Sequence, residues 1–182
     1  MRPDPHAAEK QLLAELKNET PGAFEKFFHR YWQLIMRLCL ARIPDQAEAE
    51  DIAIETFADA AKGLKKFRGE SRLTSWLIRL ALNRIAKHLR ARSRRITTIP
   101  IQDCPEDAAC TENHQTPPEI SQLIAALNTL PEPDRLVLIL RHINQLKLRE
   151  IAEITHSSTG AVAMRLKRAE EKLRHQFTRR QK

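Results

Sequence analysis

Glycine, cysteine and aromatic residues are all scarce in this chain of 182 residues. It contains four glycines and three cysteines, and aromatic residues make up 5% of it. Leu, Ala, Arg, Lys and Glu dominate instead, and this composition indicates an all-helical protein because these residues favour the helix. We therefore expect an all-α fold, with room for one ordinary domain or two small ones.

The sequence has too few cysteines for a disulfide framework and no segment apolar enough to cross a membrane. The cysteines, at positions 39, 104 and 110, are unevenly spaced. No signal-peptide pattern follows Met1, and Arg37 and Arg42 interrupt the longest apolar run, residues 34–43. We expect a soluble, cytoplasmic protein without membrane insertion.

Positive charge is in excess, with 31 Lys and Arg residues against 23 Asp and Glu, a net charge of +8. Such a balance favours nucleic acid or another polyanion as partner. The charge is concentrated in one stretch, because residues 79–95 contain seven Lys or Arg and no acid.

That basic stretch belongs to a segment, residues 67–95, that begins as a polar loop and continues as a helix. The 3.6-residue period predicts one core-facing stripe, formed by Ile78, Leu82, Ile85 and Leu89. The opposite face carries an aromatic residue, an amide and a row of cations, which suits a nucleic-acid strand. A basic face that only contacts solvent, with a buried tryptophan, explains the periodicity equally well.

The preceding helix, predicted over residues 48–67, has an acidic row along one side. Glu48, Asp51, Glu55 and Asp59 recur at helical spacing. The row is either a solvated face or a docking surface for a basic partner.

Residues 96–118 read as a flexible acidic linker, with four prolines and no Lys or Arg after position 96. The linker separates a domain at 1–95 from another at 119–182. Cys104, Cys110 and His114 fall within it, but they lack the paired close spacing of metal ligands, so we expect no metal.

Residues 148–174 have the pattern of a helix-turn-helix. A short helix is followed by a turn at His156, Ser157 and Ser158, and Thr159 is the predicted N-cap of a longer helix. Met164, Lys167 and Arg168 lie on that helix's outer side, where they could enter a major groove. An αα-hairpin without a DNA role is the alternative.

Three segments, in order, carry a resemblance that covers nearly the whole chain. They are EAEDIAIETF at 48–57, FRGESRLTSWLIRLALNRIAKHLRARSRR at 67–95 and LREIAEITHSSTGAVAMRLKRAEEKLR at 148–174. The chain resembles the extracytoplasmic-function (ECF) class of bacterial sigma factors, the small members of the sigma-70 family.

The resemblance implies a protein that is not an enzyme, needs no cofactor and is a monomer when free. Its implied partners are core RNA polymerase, through the β′ clamp helices and the β flap, promoter DNA and an anti-sigma factor. The first domain would be a region 2 bundle and the second a region 4 helix-turn-helix.

The resemblance also implies three sets of contact residues. The −10 element would be read by Gly69, Glu70, Ser71, Arg72, Leu73, Thr74, Trp76, Arg79, Asn83, Arg84, Lys87, Arg90 and Arg94. The −35 element would be read by Ser158, Thr159, Met164, Arg165, Lys167, Arg168 and Arg174. Core polymerase would be bound by Glu48, Glu50, Asp51, Glu55 and Asp59.

Five positions depart from the family pattern. The family has Gln at the position of Ile54, Asp at Lys87, Gly at His156, and Thr and a basic residue at Ala161 and Ala163. The two alanines remove polar contacts from the reading helix, so we expect a weakly specified −35 element.

Two other functions fit parts of the sequence. A helix-turn-helix regulator that acts without polymerase would dimerise and bind duplex DNA tightly by itself. An adaptor that binds an acidic protein would keep its DNA affinity, if any, when the cations at 79–95 are removed.

Overall fold

The computed structural model describes residues 5–98, 126–127 and 129–180. Those residues contain helices and no strand, so the expected all-α class is confirmed. The helices are α1 (Pro5–Lys17), α2 (Ala23–Leu40), α3 (Gln46–Leu64), α4 (Leu73–Thr98), α5 (Glu132–Leu138), a π-helical turn (Ile139–Ile143), α6 (Leu148–Thr155) and α7 (Thr159–Arg180).

Helices α1 to α4 form an N-terminal bundle around an aromatic and aliphatic core. Phe27 of α2 is fully buried, and its ring meets that of Phe57 of α3 edge to face at 5.6 Å. Aromatic pairs in this geometry add to the free energy of burial. Asp45 fixes the start of α3, because its carboxylate accepts the backbone N–H of Glu48 at 2.8 Å.

The buried stripe of α4 is wider than the periodicity predicts. Ile78 and Ile85 are fully buried as expected, but Leu77 and Ala81 are buried as well. The other two predicted core residues, Leu82 and Leu89, are half-buried. Helix α4 packs against α2, α3 and α6, so neighbours surround more than one side of it.

Helices α5 to α7 form the C-terminal helix-turn-helix unit. The short helix and the long helix occur where the sequence predicts them. The predicted N-cap is wrong by one residue, because Thr159 is already helical. Ser158 is the cap: its hydroxyl accepts the backbone N–H of Ala161 at 3.1 Å.

The two units contact each other directly, which the sequence did not predict. The apolar core of the bundle continues into the C-terminal unit through Ile139, Leu140 and Ile151. Asn144 donates its side-chain N–H to the backbone carbonyl of Leu34 at 2.8 Å. The two sequence-predicted domains therefore share one buried cluster.

Residues 96–98 of the predicted linker still belong to α4, and residues 99–118 lie outside the described residues, as do Cys104, Cys110 and His114. Among the residues that are described, no helix has the length and hydropathy that a bilayer requires. The described part also contains no group of three potential metal ligands.

His156 ends α6 in a left-handed conformation, with φ 50° and ψ 43°. A side chain with a β-carbon costs roughly 1–2 kcal/mol in this region, and glycine avoids that cost. We predict that His156→Gly raises the unfolding free energy by about 0.5–1 kcal/mol, because glycine's extra unfolded-state entropy offsets part of the gain. Thermal denaturation would measure it, and His156→Ala, which keeps the backbone strain, should give no such rise.

Candidate nucleic-acid interface

The outer face of α4 presents an amide and three cations in one row. Asn83, Lys87, Arg90 and Arg94 are exposed and line a shallow groove together with Ala91. Their spacing of four, three and four residues keeps them on one side of the helix. The structure therefore brings these four predicted contacts together as a surface fit for a phosphate backbone.

Trp76 stands at the N-terminal end of this face and is held rigidly. Its ring stacks on Phe67 with the centroids 4.8 Å apart. Gly63 makes room for it, because a β-carbon at Gly63 would lie 3.0 Å from the indole. Trp76 is half-buried, so part of the indole remains available for stacking.

The loop between α3 and α4 covers residues 65–72. The resemblance implies that residues 69–74 form a loop that receives a base, and the observed loop ends two residues before that segment does. Gly69 has a φ of 79°, which favours glycine there. Arg79 donates from Nη2 to the Ser71 hydroxyl at 2.6 Å and braces the loop. Gly69 and Glu70 are exposed.

The last two residues of the predicted segment, Leu73 and Thr74, begin α4. Leu73 is 1% exposed, so its side chain packs in the core. Thr74 is half-buried and hydrogen-bonded within the bundle. Neither side chain presents a polar group to DNA in this conformation.

Glu9 of α1 is a site residue that sequence reasoning missed. One of its carboxylate oxygens accepts both the backbone N–H of Thr74, at 2.7 Å, and the Thr74 hydroxyl, at 3.2 Å. Glu9 is only 9% exposed. It supplies a negative cap to the N-terminus of α4, although 65 residues separate it from Thr74 in the chain.

Buried Tyr31 completes this polar group. Burial raises the pKa of its phenol, and the nearby Glu9 charge acts in the same direction, while a hydrogen bond with Thr74 opposes the rise. Since α1 and α2 both contribute polar side chains here, they fix the start of α4 and the loop before it.

Arg84, a predicted phosphate contact, is paired within the protein. Its guanidinium binds both carboxylate oxygens of Asp59 and also donates to Glu55 at 2.8 Å. The hydrogen bond from Arg84 lowers the pKa of Asp59, and Asp59 in turn raises the pKa of Arg84. The structure therefore places a predicted DNA contact against two predicted polymerase contacts.

The acidic row of α3 is divided between paired and exposed residues. Glu48 lies 3.3 Å from both His88 and Arg92 of α4. Glu50 and Asp51 are exposed, one turn before Ile54, whose side chain is 50% exposed. This exposed isoleucine and its neighbouring carboxylates form a mixed apolar and acidic patch.

The second helix of the helix-turn-helix presents its predicted face to solvent. Met164 is 63% exposed, and Lys167 and Arg168 are exposed beside it. Arg165 is half-buried, and Thr159 and Arg174 are exposed. Ser158 uses its hydroxyl as the helix cap.

Both units match known family models. The model for sigma-70 region 2 matches residues 27–95, and the model for sigma-70 region 4 matches residues 120–173. The chain belongs to the sigma-70 family.

Relatives in this family match along nearly the whole chain. The RNA polymerase sigma-H factor of Pseudomonas aeruginosa is 30% identical, over 90% of this chain and 90% of its own. The ECF RNA polymerase sigma-E factor of Haemophilus influenzae is 27% identical, over 93% of this chain and 95% of its own.

Solved structures share the sigma fold. CnrH, solved in complex with the cytosolic domain of CnrY, aligns with a TM-score of 0.74 and 22% identity, over 94% of this chain and 97% of its own. The sigma factor RpoE of Bartonella quintana, solved in complex with the anti-sigma factor NepR, aligns with a TM-score of 0.62 and 20% identity, over 85% of this chain and 98% of its own.

The basic face of α4 and the acidic row of α3 both lie within the region 2 match, and the helix-turn-helix lies within the region 4 match. Glu9 precedes the region 2 match. Its contact with Thr74 is therefore a feature that the family model does not cover.

We predict that Glu9→Ala lowers the unfolding free energy by about 1–2 kcal/mol, because it removes the cap of α4 and leaves the Thr74 N–H unsatisfied. Glu9→Gln, which keeps an acceptor oxygen, should lose less. Urea denaturation would measure both. Lys10→Ala, at an exposed neighbouring position, is the control, and an equal effect there would contradict the role of Glu9.

The Arg84–Asp59 ion pair predicts that the stability of the fold depends on pH. A carboxyl group with a lowered pKa stabilises the fold above its ordinary pKa of 3.8, and this stabilisation is lost as the pH falls through the lower folded-state value. We expect Asp59→Asn to be less stable than the unmodified protein at pH 6, and the difference to narrow towards pH 3. Urea denaturation at several pH values would test this, and a difference that grows with acid would contradict it.

Proposed function

We propose that this protein is an RNA polymerase sigma factor that directs core polymerase to promoters and assists strand opening at the −10 element. The observation that carries the proposal is the outer face of α4. It presents a stacked, rigid tryptophan followed by an exposed amide and cations, within the region 2 match. It acts by binding, without catalysing a reaction itself.

At the −10 element, Lys87, Arg90 and Arg94 would bind phosphates, and Asn83 would meet a base edge. Trp76 would stack against the base pair at the upstream edge of the melted region. A base that leaves the duplex costs a few kcal/mol, and the loop at residues 69–72 would receive it. The paired Arg84 would position α4 against α3.

At the −35 element, α7 would enter the major groove. Its exposed Met164, Lys167 and Arg168 would contact base edges, and Arg165 and Arg174 would contact the backbone. Ser158 and Thr159 lie at the N-terminus of α7, where backbone N–H groups favour a phosphate. The small Ala161 and Ala163 offer no polar atoms, which would limit the sequence information read there.

Core polymerase would bind the mixed patch on α3. Glu50 and Asp51 would pair with basic groups of the β′ clamp helices, and Ile54 would supply an apolar centre in place of the family's amide. The paired acids Glu48, Glu55 and Asp59 would contribute less, since α4 already neutralises them. The β flap is the proposed contact of the C-terminal unit.

We further propose that the protein acts in the cytoplasm, is a monomer when free and is controlled by an anti-sigma factor. Family membership supports this proposal, as does the Bartonella sigma factor solved with such an inhibitor. Co-purification from the native host would test whether such an inhibitor exists.

Transcription in vitro tests the proposed function directly. Bacterial core polymerase, this protein and a pool of genomic promoter fragments should give specific transcripts that require the protein. If no transcript and no stable polymerase complex form, while the free protein binds duplex DNA tightly as a dimer, the polymerase-independent regulator is the correct reading.

The same assay gives a prediction for α7. Arg168→Ala should reduce promoter-specific initiation about tenfold or more, because a base-edge contact is worth roughly 1–3 kcal/mol. Arg174→Ala should cost less and affect all promoters alike, since a phosphate contact carries no sequence information. Equal losses would mean that the groove-facing side of α7 has been assigned wrongly.

A further inference from the structure

Two carboxylates of the C-terminal unit bind the loop that precedes α4. Arg72 donates from Nη1 to Glu150 at 2.6 Å, and its backbone N–H donates to Glu153 at 3.1 Å. Glu150 and Glu153 lie three residues apart on α6, so both face the same side of that helix. They reach across 78 and 81 residues of chain to contact the loop.

The guanidinium and the backbone N–H of Arg72 are hydrogen-bond donors of the kind that bind a nucleic-acid strand. A guanidinium and a backbone N–H beside it bind phosphate oxygens in the same manner as they bind carboxylate oxygens. While Glu150 and Glu153 are in place, a phosphate cannot approach Arg72 without displacing a charge of its own sign.

Helix α6 also covers the cleft next to the loop. This cleft has a volume of about 870 Å³. Lys66, Arg68, Trp76 and Arg79 line it from the bundle, and Glu153 and His156 line it from the C-terminal unit. The aromatic and cationic groups that suit a nucleotide are therefore approached by an acidic side chain of the same protein.

From these contacts we propose an internal latch: in the free protein, Glu150 and Glu153 occupy the −10 loop in place of DNA phosphates and must leave before the strand can bind. The inference rests on the proposed function, since it assumes that this loop receives DNA. The latch blocks the −10 loop alone and leaves the −35 face open, because Met164, Lys167 and Arg168 stay exposed in the same structure.

The closed arrangement has a second anchor away from the latch. Asn144 bonds to the backbone of Leu34, and Arg42, whose side chain is 7% exposed, forms an ion pair with Glu132. These contacts, together with the shared apolar cluster, hold the two units together. We therefore expect the two units to stay together when the carboxylates of the latch are removed.

Glu153→Ala is the best test variant. Glu150 has a second role, because its other oxygen accepts the backbone N–H of Lys147 at 2.8 Å and caps α6. Glu153 can be removed without loss of this cap. Glu25→Ala is the matched control: it makes the same change in net charge at an exposed carboxylate of α2.

The first measurement is the affinity of the free, full-length protein for a short single strand. Its sequence would be the non-template −10 strand of a promoter found by transcription in vitro, and fluorescence anisotropy would report binding at fixed salt. We expect Glu153→Ala to bind about five- to tenfold more tightly than Glu25→Ala, which is in the usual range for coupling between two sites. Equal or weaker binding by Glu153→Ala would overturn the proposal.

The second measurement is hydrogen exchange at the Arg72 amide, which needs no DNA. Exchange should be slow in the unmodified protein and faster in Glu153→Ala, while Glu25→Ala should not change it. Unchanged exchange in Glu153→Ala would mean that the latch does not form in solution. Faster exchange without a gain in affinity would mean that the contact forms but does not compete with DNA, which also overturns the proposal.

Transcription in vitro and hydrogen exchange together separate this inference from the proposed function. If the polymerase complex fails to recognise any promoter, the sigma role is wrong at any exchange rate of the Arg72 amide. If the complex initiates normally and the Arg72 amide is unprotected, the sigma role stands and the latch alone is wrong.

Discussion

Leu77, Ile78, Ala81 and Ile85 are buried along one side of α4, against α2 and α3. Burial of each large aliphatic side chain contributes about 1.5–3 kcal/mol, so this contact fixes the rotation of α4 about its own axis. The row that begins at Asn83 faces solvent because of it. Every functional group on α4 therefore takes its direction from this apolar contact.

Ion pairs between α3 and α4 also orient the two helices relative to each other. Exposed ion pairs contribute only about 0–1 kcal/mol each, so Arg84 with Asp59 and Arg92 with Glu48 add little to stability by number alone. Their geometry still determines which charges remain for a partner. Lys87 and Arg90 on the outer face of α4 stay exposed, as do Glu50 and Asp51 beside Ile54 on α3, so the unit offers exposed charges of both signs.

The contact between the two units also affects the candidate nucleic-acid interface. On the proposed function the chain has two DNA-reading surfaces: the −35 face is exposed, whereas Arg72, in the loop before α4, is bound by Glu150 and Glu153. A buried arginine, a shared apolar cluster and a pair of carboxylates all lie between the units. The interdomain surface therefore combines apolar packing with polar contacts, which on the proposed latch give way to DNA phosphates.

Much of the architecture follows from local sequence patterns. Scarce glycine and abundant helix formers indicate the all-α class, and the period of 3.6 places Ile78 and Ile85 inward and Asn83 and Arg90 outward. The three segments that resemble sigma factors also follow one another along the chain in the family's order. Such features are predictable because they depend on residues within a few turns of one another.

Other features depend on how the helices are set against each other. Leu73 turns into the core, Thr74 is capped by Glu9, and Arg84 pairs with Asp59 across two helices. The contact of Arg72 with α6 joins residues about 80 positions apart. A sequence pattern states which side of its own helix a residue occupies, but not which side chain of another helix will meet it. The sequence by itself determined the helices, their faces and the family; the tertiary structure alone decided which charges pair and which remain exposed, because only packing brings distant side chains within hydrogen-bond distance.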